Sequence, residues 1–158
     1  MTPVAVFDCM IFLQALASEK GPAFRCFAEV ERGSVTLALS TGVIDEVREV
    51  LGRFDIQRKF PSLVPQRVEM FLKGVIGKSK FVSEVRPVFQ LPRDPKDAPY
   101  VDLAIAASAN YLVTWNTRHI GYLMKKDTPE GIEFCSRYPG ITILEPPPFL
   151  RELDRTRA

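Results

Sequence analysis

Two length scales of apolar patterning alternate along this chain. Short apolar runs of four or five residues stand between longer stretches whose apolar positions recur every three or four residues. The short runs are Val4-Ala5-Val6-Phe7, Val35-Thr36-Leu37-Ala38-Leu39, Tyr111-Leu112-Val113-Thr114 and Ile141-Thr142-Ile143-Leu144. Runs so short and so fully apolar predict strands buried on both faces. Lys80 to Val85, between Gly77 and Pro87, is a fifth candidate. Between the strands the spacing is helical. Ile11 to Ala17 and Pro22 to Val30 make two helices, with Gly33 as a stop. Ser40 or Thr41 caps a third, whose Val43, Ile44, Val47, Val50 and Leu51 form one face. Val68, Met70, Phe71 and Val75 mark a fourth, within residues 64–76. A small apolar helix follows Asp97, and Ile120 to Lys126 is helical. Thr128-Pro129 predicts an N-cap with proline in the first helical position. Prolines break up Phe54 to Pro65, and a Pro-rich loop runs from Arg86 to Pro99.

Strands alternating with helices predict an α/β fold, a three-layer α/β/α sandwich around a mostly parallel central sheet. The domain is expected to span residues 1–146, closing at Pro146-Pro147-Pro148, with 147–158 as a charged, frayed tail. Crossovers in parallel sheets are right-handed, so every strand points its C-terminal end at one edge, where ligands bind. Asp8 ends the first strand, Asn116 lies just past the third of the runs named first, and Glu46 and Asp97 sit early in helices. These four side chains are expected to gather there.

Composition narrows the chemistry. The 158 residues suit one domain, and 46% apolar with 25% charged residues is ordinary for a globular one. A net charge of +2 does not by itself point to nucleic acid. Three cysteines, widely spaced and without a CxxC, predict reduced thiols and a cytoplasmic protein. His119, the single histidine, has no Cys or His at zinc-ligand spacing, and no Gly-rich phosphate loop occurs. No window reaches the roughly 18 uncharged apolar residues of a membrane span, so no membrane partner is expected.

Carboxylates crowded together repel, and one takes up a proton unless a cation intervenes. Mg²⁺ suits such a set, because it prefers oxygen ligands and keeps several waters. Blander readings compete. Asp97 can act as a helix cap, and Glu46 and Glu49 can be surface residues, the reading preferred for Glu49. Asp102, five residues past Asp97, is expected at the surface. Trp115 is expected to pack, or to stack on a base. His119 reads as a polar loop residue.

Four segments carry a resemblance: Val-Phe-Asp8; Ser40-Thr-Gly-Val-Ile-Asp-Glu46-Val-Arg-Glu-Val-Leu; Asp94-Pro-Lys-Asp97-Ala-Pro-Tyr-Val; and Tyr111-Leu-Val-Thr-Trp-Asn116. In order and spacing they resemble the PIN domain, and within it the VapC-like toxins of toxin–antitoxin systems. The resemblance implies an endoribonuclease dependent on Mg²⁺ or Mn²⁺. It places Asp8, Glu46 and Asp97 on the metal and Asn116 fourth in the catalytic set. Asp94 is the rival for the third acid, and His119 stands where some relatives carry a further one. It also implies an RNA substrate, an antitoxin covering the acidic cleft, and a homodimer formed through the Phe-rich second and fourth helices. Arg58-Lys59, Lys78, Lys80, Arg118 and Lys125-Lys126 are candidates for the RNA backbone.

Two positions depart from the family pattern. Cys9-Met10 replaces the usual Thr-Asn after the first acid, and Asn116 replaces an acid. They leave open an alternative, a weak or inactive PIN-fold module that binds RNA or protein. A phosphotransferase built on Asp8 is disfavoured, since a second acid would be wanted where Met10 stands.

Overall fold

The computed structural model of the chain describes residues 2–89, 95–116 and 118–157. Five strands, β1 (Val4–Phe7), β2 (Thr36–Leu39), β3 (Lys80–Phe81), β4 (Tyr111–Val113) and β5 (Thr142–Leu144), form one sheet in the order β3-β2-β1-β4-β5. All four pairings are parallel. The helices are α1 (Cys9–Ala17), α2 (Pro22–Arg32), α3 (Thr41–Leu51), α4 (Phe54–Lys59), α5 (Pro65–Lys78), α6 (Ala98–Ala106), α7 (Pro129–Arg137) and α8 (Pro146–Arg157). Short 3-10 turns cover Pro95–Asp97 and Gly121–Met124. The expected three-layer α/β/α sandwich is what forms.

Side-chain alternation along the strands assigns the faces. Phe7 points to the face where its ring meets Phe27 of α2 edge-on at 5.2 Å and Phe149 of α8 at 5.8 Å. Phe12, Phe27 and Phe71 continue this aromatic layer between α1, α2 and α5. Edge-to-face pairs of this kind add about 0.5–1.5 kcal/mol each beyond their buried area. Val6 points to the other face. The right-handed return from β3 to β4 lays α6 there. Phe89 and Phe134 of α7, 5.4 Å apart, close that side.

Local chemistry explains the element ends. Ser40 accepts the Val43 N–H at 3.2 Å and so caps α3. Thr128 accepts from Gly131 and caps α7 with Pro129 in the first turn. A side chain at Gly131 would drive its Cβ to 1.9 Å from the Lys125 carbonyl oxygen, so only glycine fits. Gly33 ends α2 at φ 84, a left-handed value that disfavours other residues.

Several expectations are corrected. The Phe54–Pro65 stretch, expected to be broken up by prolines, still holds α4, because its prolines stand outside Phe54–Lys59. β3 stops at Phe81, well short of Val85. The helical reading of Ile120 to Lys126 shrinks to a short 3-10 turn, Gly121–Met124. The C-terminal segment does not fray. Its prolines start α8 in the one place a helix tolerates them, and Phe149, Leu150 and Leu153 are buried. Arg157 then reaches the buried Glu29 of α2 at 2.8 Å. Asp102, expected at the surface, is 5% exposed and accepts the backbone N–H groups of Val88 and Phe89, both at 3.1 Å. It is the anchor of the 82–89 segment on α6. Asp94 lies outside the described residues.

Candidate active site

In the order β3-β2-β1-β4-β5 the direction of winding reverses between β1 and β4. Chains leaving these two strands diverge to opposite faces and open a crevice at their C-terminal ends. Asp8 and Thr114 stand at this crevice. The β1–β4 register pairs Phe7 with Val113, so Thr114 comes opposite Asp8. Both are buried, at 6% and 1% exposure.

Asp8 is committed through both carboxylate oxygens. Oδ1 accepts the Ile11 N–H at 3.3 Å and caps α1, and Oδ2 accepts a short hydrogen bond from the Thr114 hydroxyl. Burial nevertheless pushes its pKa up to about 6, with a smaller push from the Glu46 carboxylate. The bonds from Thr114, Ile11 and Met10 pull the other way and do not win. Asp8 therefore caps a helix and also carries a charge that its surroundings resist.

The network continues through Thr114, whose Oγ1 accepts the Asn116 N–H at 2.9 Å. The Asn116 amide nitrogen donates to Asp97 at 2.7 Å, and its oxygen accepts the His119 N–H at 3.1 Å. These two partners fix the orientation of the amide, because a backbone N–H needs an acceptor and a carboxylate a donor. A continuous chain, Asp8–Thr114–Asn116–Asp97, thus crosses the crevice. Asp97 makes no side-chain cap to α6, so the capping reading does not account for it. His119 joins this edge through its backbone, one turn past Asn116.

Glu46 is half-buried on α3 and close enough to act on Asp8. Cys9 reports the gathering: burial, then the charges of Asp8, Glu46 and Asp97, push its thiol up to about 12. It is no thiolate nucleophile at neutral pH. Tyr100, in the first turn of α6, is 1% exposed and raised above the ordinary tyrosine range by burial and by Cys9, Glu46 and Asp8. Thr114 and Tyr100 were not singled out from the sequence. A hydroxyl at the end of a strand next to that of Asp8 was the available signal for the first, and nothing local marked the second.

Beside Thr114 a cavity of about 550 Å³ runs between β5 and the 121–124 turn, with Arg118, Tyr122 and Lys125 in its lining. Of the basic residues named from the sequence, Arg118 and Lys125 are the two that line this cavity. Arg58 and Lys59 instead lie over the rings of Phe54 and Phe60, and Lys78 faces Glu31. Trp115, next in sequence to Thr114 and 36% exposed, is held by a 2.7 Å bond from its Nε1 to the Gln14 side chain.

A doubly wound parallel α/β domain with carboxylates at its topological switch point is the class that fold and edge define. The family model described as PIN domain matches residues 4–118, and the chain belongs to the PIN domain family. No curated protein matches it. PIN domains are in general metal-dependent nucleases, and they commonly bind RNA. No helix among the described residues is long and apolar enough to cross a membrane.

The family implies a divalent cation, and the donor chemistry here fits one. The edge offers hard carboxylate oxygens, and Asp8, raised mainly by burial and to a smaller degree by Glu46, is a carboxylate whose charge a cation would stabilise. Among the described residues no three Asp, Glu, His or Cys side chains converge to cage an ion unaided. Mg²⁺ does not need such a cage, since one or two carboxylates with water and substrate phosphate suffice.

Proposed function

We propose that this protein is a metal-dependent endoribonuclease of the PIN type, acting in the cytoplasm as the toxin of a toxin–antitoxin pair. The observation that carries the reading is Asp8, buried at the β1–β4 switch point, hydrogen-bonded and still resistant to ionisation beside Glu46. Asp8, Glu46 and Asp97 would hold Mg²⁺ or Mn²⁺. Such a cation, when bound, lowers the pKa of a coordinated water and offsets charge on the scissile phosphate.

The chain's own residues do the rest. Thr114 orients Asp8 through its hydroxyl. Asn116 keeps Asp97 turned to the crevice and lowers the charge of the set by one relative to an acid at that position. Arg118 and Lys125 are placed to take RNA phosphates along the β5 side, and Trp115 offers a ring for a base. A protein partner, the antitoxin or a second copy, has an apolar groove between α2 and α5 available, with Phe24, Met70 and Phe71 in its lining. Free Cys9, Cys26 and Cys135 support a reducing compartment.

Asn116 also supports a second reading, a PIN-fold RNA-binding module with little or no turnover. Its amide is spent on Asp97 and the His119 N–H, so it adds neither charge nor an uncommitted oxygen. Cleavage of single-stranded and structured RNA in Mn²⁺, Mg²⁺ and EDTA, beside Asp8→Asn, decides between them. The nuclease cuts only with metal and stops in the variant. A binder cuts under no condition and keeps its RNA affinity after Asp8→Asn.

A further inference from the structure

We propose that Tyr100 is a positioning residue of the acidic edge, its hydroxyl setting the Glu46 carboxylate for a divalent cation held with Asp8. The inference rests on the cation reading above and adds to it a residue that neither the family match nor the sequence pattern supplies.

Tyr100 is among the largest fully buried side chains of the molecule, and its hydroxyl makes no hydrogen bond of normal geometry. Burying a hydroxyl without a partner costs about 1–3 kcal/mol, and a phenylalanine would fill the same space without that cost. The position of the hydroxyl suggests what offsets it. Tyr100 lies three residues past Asp97, on the helix that covers the Asp8 face of the sheet. Glu46, Cys9 and Asp8 are the groups within reach of its electrostatic influence, and α3, which carries Glu46, packs against α6. A tyrosine hydroxyl keeps its proton at neutral pH and so offers a donor to a neighbouring carboxylate. Glu46 is the acceptor with room to answer: it is half-buried, and its side chain turns about three bonds. A modest rotation of Glu46 completes the bond. One carboxylate oxygen is then fixed by Tyr100 and the other is presented to the crevice. Hydrogen bonds to metal-ligating carboxylates work in this way, and losing one typically costs about 10- to 100-fold in metal affinity.

The test is a Mn²⁺ titration of the full chain, followed by calorimetry, for the unmodified protein, Tyr100→Phe and Asp8→Asn. Tyr100→Phe is expected to weaken Mn²⁺ binding about tenfold. Without metal it should melt at the same temperature as the unmodified protein or higher. A Mg²⁺-induced difference in tyrosine absorbance is expected in the unmodified protein and should vanish in Tyr100→Phe, although Tyr111, Tyr122 and Tyr138 remain. Equal Mn²⁺ affinity in Tyr100→Phe, with binding lost in Asp8→Asn, overturns the role of Tyr100 and leaves the cation reading standing. An unmodified protein that binds no Mn²⁺ overturns both. A Tyr100→Phe chain that fails to fold also overturns the proposal, because the hydroxyl would then belong to the fold.

Discussion

Two buried aspartates, fewer than a hundred residues apart in sequence, show how the same side chain serves two ends. Asp102 is 5% exposed and Asp8 6% exposed. Asp102 accepts two backbone N–H groups, from Val88 and Phe89, and ties the 82–89 segment to α6. Asp8 accepts one backbone N–H and one hydroxyl, faces Glu46, and is pushed up to about 6. At similar depth the two carboxylates find different partners. A carboxylate met by backbone donors is a fastening. One that burial holds above the usual carboxylate range, with a second carboxylate nearby at a switch point, is suited to a cation.

The comparison can be broken by exchanging its predicted outcomes. Asp8→Asn is expected to lower RNA cleavage by at least about 100-fold, the usual scale for a group at the reacting centre, with the fold retained. Asp102→Ala should instead leave a buried and a part-buried N–H without acceptors and cost about 2–3 kcal/mol of stability by urea unfolding. Its cleavage per folded molecule should change little. If Asp102→Ala abolished turnover in folded protein, the division between fastening and site would be wrong.

Stability against pH sharpens the same contrast. The Asp8 pKa is raised from 3.8 unfolded to about 6 folded, so the folded state holds the proton more tightly. Its contribution is fully present below pH 3.8 and is lost as pH rises through about 6. The loss amounts to about 3 kcal/mol. Without metal, Asp8→Asn should remove this slope, so that the variant gains on the unmodified protein between pH 4 and pH 7 in urea titrations. A constant difference across that range would contradict the assignment.

Smaller effects test the bridge and Trp115. Asn116→Asp should set a carboxylate against Asp97, lower metal-free stability by about 1 kcal/mol, and tighten Mn²⁺ binding about tenfold. Equal Mn²⁺ affinities would mean that position 116 is electrostatically remote from the cation. Trp115→Ala should raise KM for RNA several-fold with kcat nearly unchanged, the loss of roughly 1 kcal/mol of stacking. A kcat effect alone would move Trp115 from binding to support of the Gln14 contact.

Legibility in the sequence followed the range of each interaction. Val4–Phe7 and Tyr111–Val113 were readable because a doubly buried strand must be apolar throughout. The Ser40 and Thr128 caps were readable because capping is local. Helix α8 was not, since Pro146-Pro147-Pro148 reads equally as a stop or as a first turn until Phe149 finds Phe7 across the sheet. Asp102 was misplaced because helical position says which way a side chain points and not what packs there. Its partners, Val88 and Phe89, arrive from a loop more than a dozen residues earlier.

The sequence by itself determined the alternation of strands and helices, and with it a parallel sheet whose C-terminal edge carries Asp8, Glu46, Asp97 and Asn116. Hydrophobic period and the handedness of crossovers suffice for that, because both act through the backbone of every chain alike. The tertiary structure decided what those residues do to one another. It set Thr114 opposite Asp8, spent the Asn116 amide on Asp97, and buried the Tyr100 hydroxyl at the acidic edge. Such relations depend on distances of a few ångströms between segments separated by as many as 106 residues, and no local pattern encodes them.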